Sequence, residues 1–383
     1  MKILLVSMNS IHFQRWTDQL KDAGHEVFWF NIMDGDYVEK LSWVKQYFRW
    51  KLKYKNLKGR VFLKKRFPKL YSKLRFLIEH DTEKIFEQVF DDIKPDLVHS
   101  FVLYMSCVPI LKVMKRNPQT KWIYSSWGSD LFYFQNKSNY LKGIKEVLPR
   151  VNYLFSDCDR DVQLAKKYGF KGEVLGVFPG GGGYMLEDYE PHVMPLEQRD
   201  VILVKGYQGR SGRAIQVLQA LMKLEKKLLD YNVIVFAADS EVETFILKNE
   251  LQKKMNITSY KKTRFLPHLE IIKLMGKAII YIGNSNSDGM PNTLLEAIIM
   301  GAFPIQSNPG GSSAEVITHN ENGLLIEDCN NSVDISLSVA KALDNRKLLE
   351  QAFRINQSSL KPRFDRAIIQ NKVISAYRRA LLD

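Results

Sequence analysis

Apolar runs of strand length alternate along the chain with amphipathic stretches of helix length. KILLVSMN is followed by a helical pattern from Phe13 to Ala23, then by HEVFWFNI, and later by PDLVHSF, KWIYSS and VNYLFS. This rhythm predicts βαβ units, in which helices cover a parallel sheet. It halts at EVLGVFPGGGGYMLEDYEPHVMP, where a run of four glycines and three prolines interrupts both periodicities. It restarts with VILVKG, a helix from about Arg213 to Leu229, NVIVFAAD, a helix near Glu243 to Lys254, AIIYIGNS, a helix after Pro291, and FPIQSN. From about Asn356 onward, Ile368, Ile369, Val373 and Tyr377 fall at helical spacing and predict a final amphipathic helix. The expected architecture is α/β: a Rossmann-like domain over residues 1–185, a second over 186–355 and a terminal helix over 356–383.

At 383 residues the chain exceeds what one core usually fills, in keeping with two domains. Its 45% hydrophobic and 26% charged residues exclude a disordered or fibrous protein. Cys107, Cys158 and Cys329 are odd in number and far apart, which implies neither a disulfide framework nor a zinc cluster and suits a reducing cytoplasm. MKILLVSMN is too short and lacks the cleavage site of a signal peptide, and no apolar run reaches the ~18 residues that span a bilayer. The chain is expected to be neither secreted nor integral.

The net charge of +14 is concentrated in one place: thirteen Lys or Arg and no acid lie between Lys45 and Arg75. Within this segment, Trp43, Tyr47, Trp50, Tyr54, Leu57 and Val61 follow a helical stripe, with Lys45, Arg49, Lys51, Lys53, Lys55 and Lys58 around it. The pattern predicts a basic amphipathic segment over 43–75 lying against an anionic membrane surface, or against the domain core. Nucleic acid wants the same residue types, but the rest of the chain carries no nucleic-acid module.

Inside SNSDGMPNTLLEAIIMGAFPIQSN an acid, Glu296, sits among Leu294, Leu295, Ala297, Ile298 and Ile299. A helix from near Asn292, N-capped there and stopped at Gly301, places Glu296 one turn in, on the same face as the helix mouth. Free N–H groups and the positive dipole end suit a phosphate, and Glu296 can reach a hydroxyl beside it. The alternative is an acid that only complements the dipole on a solvated face. The apolar residues around it favour a ligand, because a buried Glu needs a partner.

Asp288 and Glu296 enclose seven residues. DGMPNTLLEAIIMGAFPIQSN, followed by PGGSSAEVI and NENGLLI, resembles the donor-site signature of retaining GT-B glycosyltransferases of family 4. Over most of the chain GHEV, PDLVHSF, FSDCDRDVQLAKKYGF, FPGGGGYML and VKGYQGRSGRAIQVLQAL stand in the expected order. The resemblance implies two Rossmann-like domains facing across a donor/acceptor cleft, with the terminal helix returning to the first. It also implies transfer of a sugar from a nucleotide-diphosphate donor, which is a substrate rather than a cofactor, with retention and without an essential metal. Glu296 would hold the ribose, the backbone of Asn292, Thr293 and Leu294 the diphosphate, and Asp288 the donor sugar. Gly206 matches the glycine ending a strand, and Arg213 matches a Lys that neutralises the diphosphate. Tyr207 stands where an Arg is usual, so Lys205 or Arg210 is expected to supply the second cation.

In the first half, Asp130 of YSSWGSDLFYF ends a strand-to-loop edge that is expected to face the cleft beside the reacting sugar, or else caps a turn. His12 and His99 are acceptor-side candidates, though a lone His at a strand end is often structural. Asp34-Gly35-Asp36 and Asp157-Cys158-Asp159 evoke metal-dependent transferases, but the second begins a helix and reads as a cap. Gly180–Gly183 lacks the Lys-Ser/Thr of a P-loop and reads as an interdomain hinge. The expected function is glycosyl transfer to a glycan acceptor, lipid-linked in view of the basic segment, at the inner face of the cell membrane. Two other classes compete: a non-catalytic membrane or nucleic-acid adaptor, which leaves Glu296 unexplained, and a nicotinamide-dependent dehydrogenase, which lacks G-x-G-x-x-G after the first strand.

Overall fold

The computed structural model describes residues 1–54, 59–264 and 266–382. The chain divides into two compact units. One comprises 1–156, 161–182 and 370–383, and the other 157–160 and 183–369. The expected hinge glycines coincide with a crossing: Gly182 and Gly183 both adopt positive φ, and the chain changes unit between them.

The first unit holds β1 (Lys2–Ser7), β2 (Glu26–Asn31), β3 (Lys45–Tyr47), β4 (Leu97–Phe101), β5 (Lys121–Ser126), β6 (Tyr153–Ser156) and β7 (Glu173–Val177). They form one sheet in the order β3-β2-β1-β4-β5-β6-β7. The pairings are parallel, for example Leu4 with Phe28 and His99 with Ile123. β4 is buried along its whole length, as a strand covered on both faces must be.

The second unit holds β8 (Val201–Lys205), β9 (Asn232–Ala238), β10 (Ile257–Lys261), β11 (Ala278–Gly283), β12 (Phe303–Ser307) and β13 (Leu324–Ile326), in the order β10-β9-β8-β11-β12-β13. Alternate residues serve opposite faces, so Ile202, Val204, Ile280 and Ile282 join one core while Val201, Leu203 and Tyr281 join the other. In each sheet the strand order reverses once, between β1 and β4 and between β8 and β11, and such switch points open a crevice at the carboxyl ends of the strands.

The single basic helix expected over 43–75 does not form. Lys55, Leu57, Lys58 and the Val61 side chain lie outside the described residues. Lys45–Tyr47 is instead an edge strand paired with Phe28–Phe30. Trp50 stacks on Phe30, with ring centroids 4.9 Å apart, and donates its indole N–H to Asn31 O at 2.9 Å. Tyr47 and Trp50 thus pack, partly buried, against the core, because strand pairing and ring contact outweigh a helical spacing shared by only a few residues. Helices follow at Arg60–Arg66 and Pro68–Ile78, divided where Pro68 supplies no N–H to continue the first and opens the second. Among the described residues no helix is long and apolar enough to cross a membrane.

The last helix spans Arg366–Leu382 and therefore starts later than Asn356. Lys361–Phe364, with Pro362 inside it, is a 3-10 turn. From Gln370 the chain belongs to the first unit, where the Tyr377 hydroxyl lies between Nδ1 of His99 and the Trp16 indole N–H. All six tryptophans lie between residues 16 and 127, so tryptophan fluorescence reports on the first unit alone. Tyr377→Ala removes a fully buried ring and strands two polar partners; the fluorescence-detected urea midpoint is expected to drop, by about 3–5 kcal/mol of stability.

Candidate functional site

The switch point of the second sheet is built by two loops tied to each other. The loop after β8 and the loop after β11 exchange Arg213 N–H to Asn284 O (2.9 Å), Asn284 Nδ2 to Arg213 O (3.1 Å) and Asn286 N–H to Ser211 O (2.9 Å). Gly206 ends β8 where any Cβ would come within 2.6 Å of the Ala238 Cα, so only glycine fits the close approach. At the other end of the constellation, Gly301 in left-handed backbone (φ 74°) terminates the helix Asn292–Ile299.

Asn292 is the first residue of that helix and Pro291 its cap, rather than Asn292 capping it. The Asn292 side chain accepts from the Tyr184 hydroxyl at 2.8 Å. Of the three expected phosphate donors, Leu294 already gives its N–H to Pro291 O at 3.0 Å, as in the tight first turn of many helices. The N–H groups of Asn292 and Thr293 have no hydrogen-bond partner among the described residues, and together with the helix dipole they suit an anion.

Glu296 is 4% exposed. Its Oε1 lies 2.7 Å from Nε2 of His268, the first residue of the helix His268–Lys277, and its Oε2 has no hydrogen-bond partner among the described residues. A buried carboxylate with one oxygen held and one open is an acceptor for hydroxyl donors. Asp288 accepts from its neighbour's Gly289 N–H at 3.0 Å, the turn contact, while its other oxygen lies 4.0 Å from Lys205 Nζ. Arg160 braces this loop by donating to Asp288 O (2.8 Å) and Pro309 O (2.7 Å).

The cations are arranged unequally. Lys205 is mostly buried and sits 4.7 Å from the centroid of the Tyr207 ring, with Lys262 4.4 Å from the same centroid. The Tyr207 ring thus holds two ammonium groups by its π face. Arg213 bends back to Gly209 O, Gly212 O and Asn330 Oδ1, and Arg210 is exposed beside Gly209, whose φ is 88°.

The sequence-predicted residues of the first half are placed differently. His99 is wholly buried, between the Tyr377 hydroxyl and Ser125 Oγ (2.8 Å), and burial drives its pKa well down, so it is a neutral core residue. Asp130 does not face open solvent: its Oδ2 accepts from Leu103 N–H (2.6 Å) and from the Tyr124 hydroxyl, inside the unit. His12 is half-buried, its ring edge-on to Trp127 at 6.5 Å. In the Asp-x-Asp triplets, Asp34 and Asp36 accept from Trp50 N–H and Arg49, and at the start of the helix Asp159–Lys167 Glu315 accepts from the N–H groups of Asp159 (2.8 Å) and Arg160 (2.9 Å). Sequence reasoning missed His268, Arg160, Lys262 and Glu315. None lies within a few residues of the partner it serves, and only the helical start at His268 carried a local signal.

Residues 191–358 match the family described as Glycosyl transferases group 1, and residues 82–158 the one described as Glycosyl transferase 4-like. These two stretches are similar to group 1 and family 4-like glycosyltransferases. It is 26% identical over 150 residues to a Campylobacter jejuni protein named GalNAc-alpha-(1->4)-GalNAc-alpha-(1->3)-diNAcBac-PP-undecaprenol alpha-1,4-N-acetyl-D-galactosaminyltransferase, and the match spans 39% of each chain. Solved structures share the GT-B fold: a glycosyltransferase from Rickettsia africae (17% identity, 99% and 98% of the two chains, TM-score 0.67) and Anabaena HepE in complex with UDP-glucose (11%, 99% and 100%, 0.69). The lipopolysaccharide outer core galactosyltransferase WaaB in its apo form is a third (15%, 99% of both chains, 0.68).

Burial pushes the Asp130 carboxyl up to about 7. The folded unit therefore keeps a proton that the unfolded chain releases near its ordinary carboxyl range, so this group's contribution to stability falls as pH rises from about 4 to 7. In Asp130→Asn the fall in fluorescence-detected stability between pH 5 and pH 8 is expected to shrink by about 2–3 kcal/mol.

Proposed function

We propose that the protein is a retaining glycosyltransferase that moves a sugar from a nucleotide-diphosphate sugar to a lipid-linked glycan acceptor, in the synthesis of a cell-surface polysaccharide or glycoconjugate. One observation carries the reading: Glu296, buried with one oxygen open, stands one turn from two unpaired helix N–H groups at the switch point of the second sheet. In this reading Oε2 of Glu296 accepts from the ribose hydroxyls, and the Asn292 and Thr293 N–H groups take the diphosphate. Asp288 meets hydroxyls of the donor sugar. As the bond from the anomeric carbon to the diphosphate breaks, negative charge grows on the leaving oxygen. Arg213 and Lys205, with Arg210 beside its glycine turn or Lys262 across Tyr207, supply positive charge there without a metal ion. Transfer is then expected to persist in excess EDTA, and a requirement for added divalent cation would count against that part of the reading.

The lipid-linked acceptor is supported by the Campylobacter relative, whose name gives an undecaprenyl diphosphate acceptor. It is also supported by the helices Arg60–Arg66 and Pro68–Ile78, which leave Phe62, Phe67, Leu70, Phe76 and Leu77 exposed beside exposed Lys64, Lys65, Lys69 and Lys73. Leu70 and Leu77 lie two turns apart on one helical face. A buried bond from the Tyr71 hydroxyl to Glu79 (2.6 Å) and a bridge between Leu52 and Glu79 tie this pair to its unit. Near an anionic leaflet each cation contributes about 1 kcal/mol, and exposed Phe and Leu give the interfacial anchoring that a purely basic surface lacks. The membrane contact is thus assigned to residues 60–78, and the protein to the inner face of the cell membrane.

Two outcomes test the reading. Glu296→Ala should weaken UDP binding by about 10–100-fold in calorimetry with the fold retained, and unchanged affinity would sink the ribose assignment. Replacing Lys69 and Lys73 by Gln and Phe76 and Leu77 by Ser should lower partitioning onto vesicles rich in phosphatidylglycerol by at least about tenfold. Flotation equal to that of the wild type would move the contact elsewhere.

A further inference from the structure

We infer that His268 is the positioning residue of the donor site: it locks the Glu296 carboxylate so that the open oxygen is presented to the ribose. The inference rests on the donor reading above and adds a residue to which nothing else assigns a role. Glu296 sits on the helix Asn292–Ile299 among Leu294, Leu295, Ala297, Ile298 and Ile299, all buried, and those neighbours offer its carboxylate no side-chain donor. Its one hydrogen bond runs to Nε2 of His268 at 2.7 Å. A glutamate has three side-chain torsions, and a carboxylate that must accept from two vicinal hydroxyls works only when its plane is already set. One fixed contact at Oε1 sets that plane and leaves Oε2 to the ligand.

The position of His268 fits this role better than a local one. It is the first residue of the helix His268–Lys277, where the dipole favours an acid and gives a basic ring nothing. Its imidazole stands edge-on to Tyr189, with ring centroids 6.4 Å apart, which limits how the ring turns. The Nε2–H tautomer and the imidazolium both donate from Nε2, so the contact survives either charge state. The side chain is 40% exposed, so the imidazole reaches solvent while the carboxylate it holds is buried.

The experiment compares UDP with 2′,3′-dideoxy-UDP by calorimetry on the full chain. The wild type is expected to prefer UDP. In His268→Ala, UDP affinity should fall by about tenfold or more while dideoxy-UDP affinity stays at the wild-type value, so the preference collapses. Unchanged dideoxy-UDP binding also shows that the variant is folded. His268→Gln, whose amide can still donate to Glu296, should recover most of the preference. Equal weakening of both nucleotides, or a wild-type preference kept in His268→Ala, would overturn the inference and leave the donor reading standing. A wild type that binds UDP and dideoxy-UDP alike would overturn the donor reading and this inference with it.

Discussion

The second unit is organised around a carboxylate placed where water cannot reach most of it. A glutamate in an apolar setting costs several kcal/mol unless it is hydrogen-bonded, and among the described residues the Glu296 side chain has one bond, to His268. The other oxygen has no hydrogen-bond partner among the described residues, which leaves it able to accept from a donor at the helix mouth. Other features follow from that placement. The helix must begin at Asn292 so that position 296 turns back to the mouth, Gly206 must lack a Cβ so that β8 can pass Ala238, and the two loops must be stitched through Asn284 so that the mouth keeps its shape.

Much of the fold was legible because a strand buried on both faces leaves a run of apolar residues that needs no partner to be read, and a helix against a sheet leaves a 3.6-residue stripe. Glu296 was legible for the same reason, as an exception to such a stripe. What stayed hidden depended on direction or distance. The ending of β5 locates Asp130 but does not say that its carboxylate turns inward to Tyr124 and Leu103. His268 lies 28 residues before Glu296, and no local spacing links them. Residues 43–75 misled in another way. Their composition marks a basic aromatic surface, but Tyr47 and Trp50 fit a strand edge as well as a helical stripe, and pairing with β2 decided the matter. The exposed apolar residues lie further along, past Gly59, where Pro68 separates two short helices.

The two histidine candidates show how the same residue type is sorted by surroundings. His99 lies in the middle of β4 rather than at its end, and it is enclosed by Phe101, Phe155 and Trp16, with Tyr377 closing the remaining side. Full burial without a nearby carboxylate favours the neutral ring, which then serves as a hydrogen-bonded element of the core. His268 is partly exposed, at a helix start, and faces a buried acid. The difference lies in the partner, and the partner is set by topology.

Topology also makes the two units unequal. The second is continuous from 183 to 369 apart from a four-residue contribution at 157–160, so most of its contacts close within one stretch of chain. The first is completed by residues 370–382, and the bonds that seat Tyr377 against Trp16 and His99 span 361 and 278 residues. Loop closure of that length is entropically expensive, yet the cost grows only logarithmically with length. The buried Tyr377, with its ring packed and its hydroxyl shared, returns enough stability to hold the closing helix.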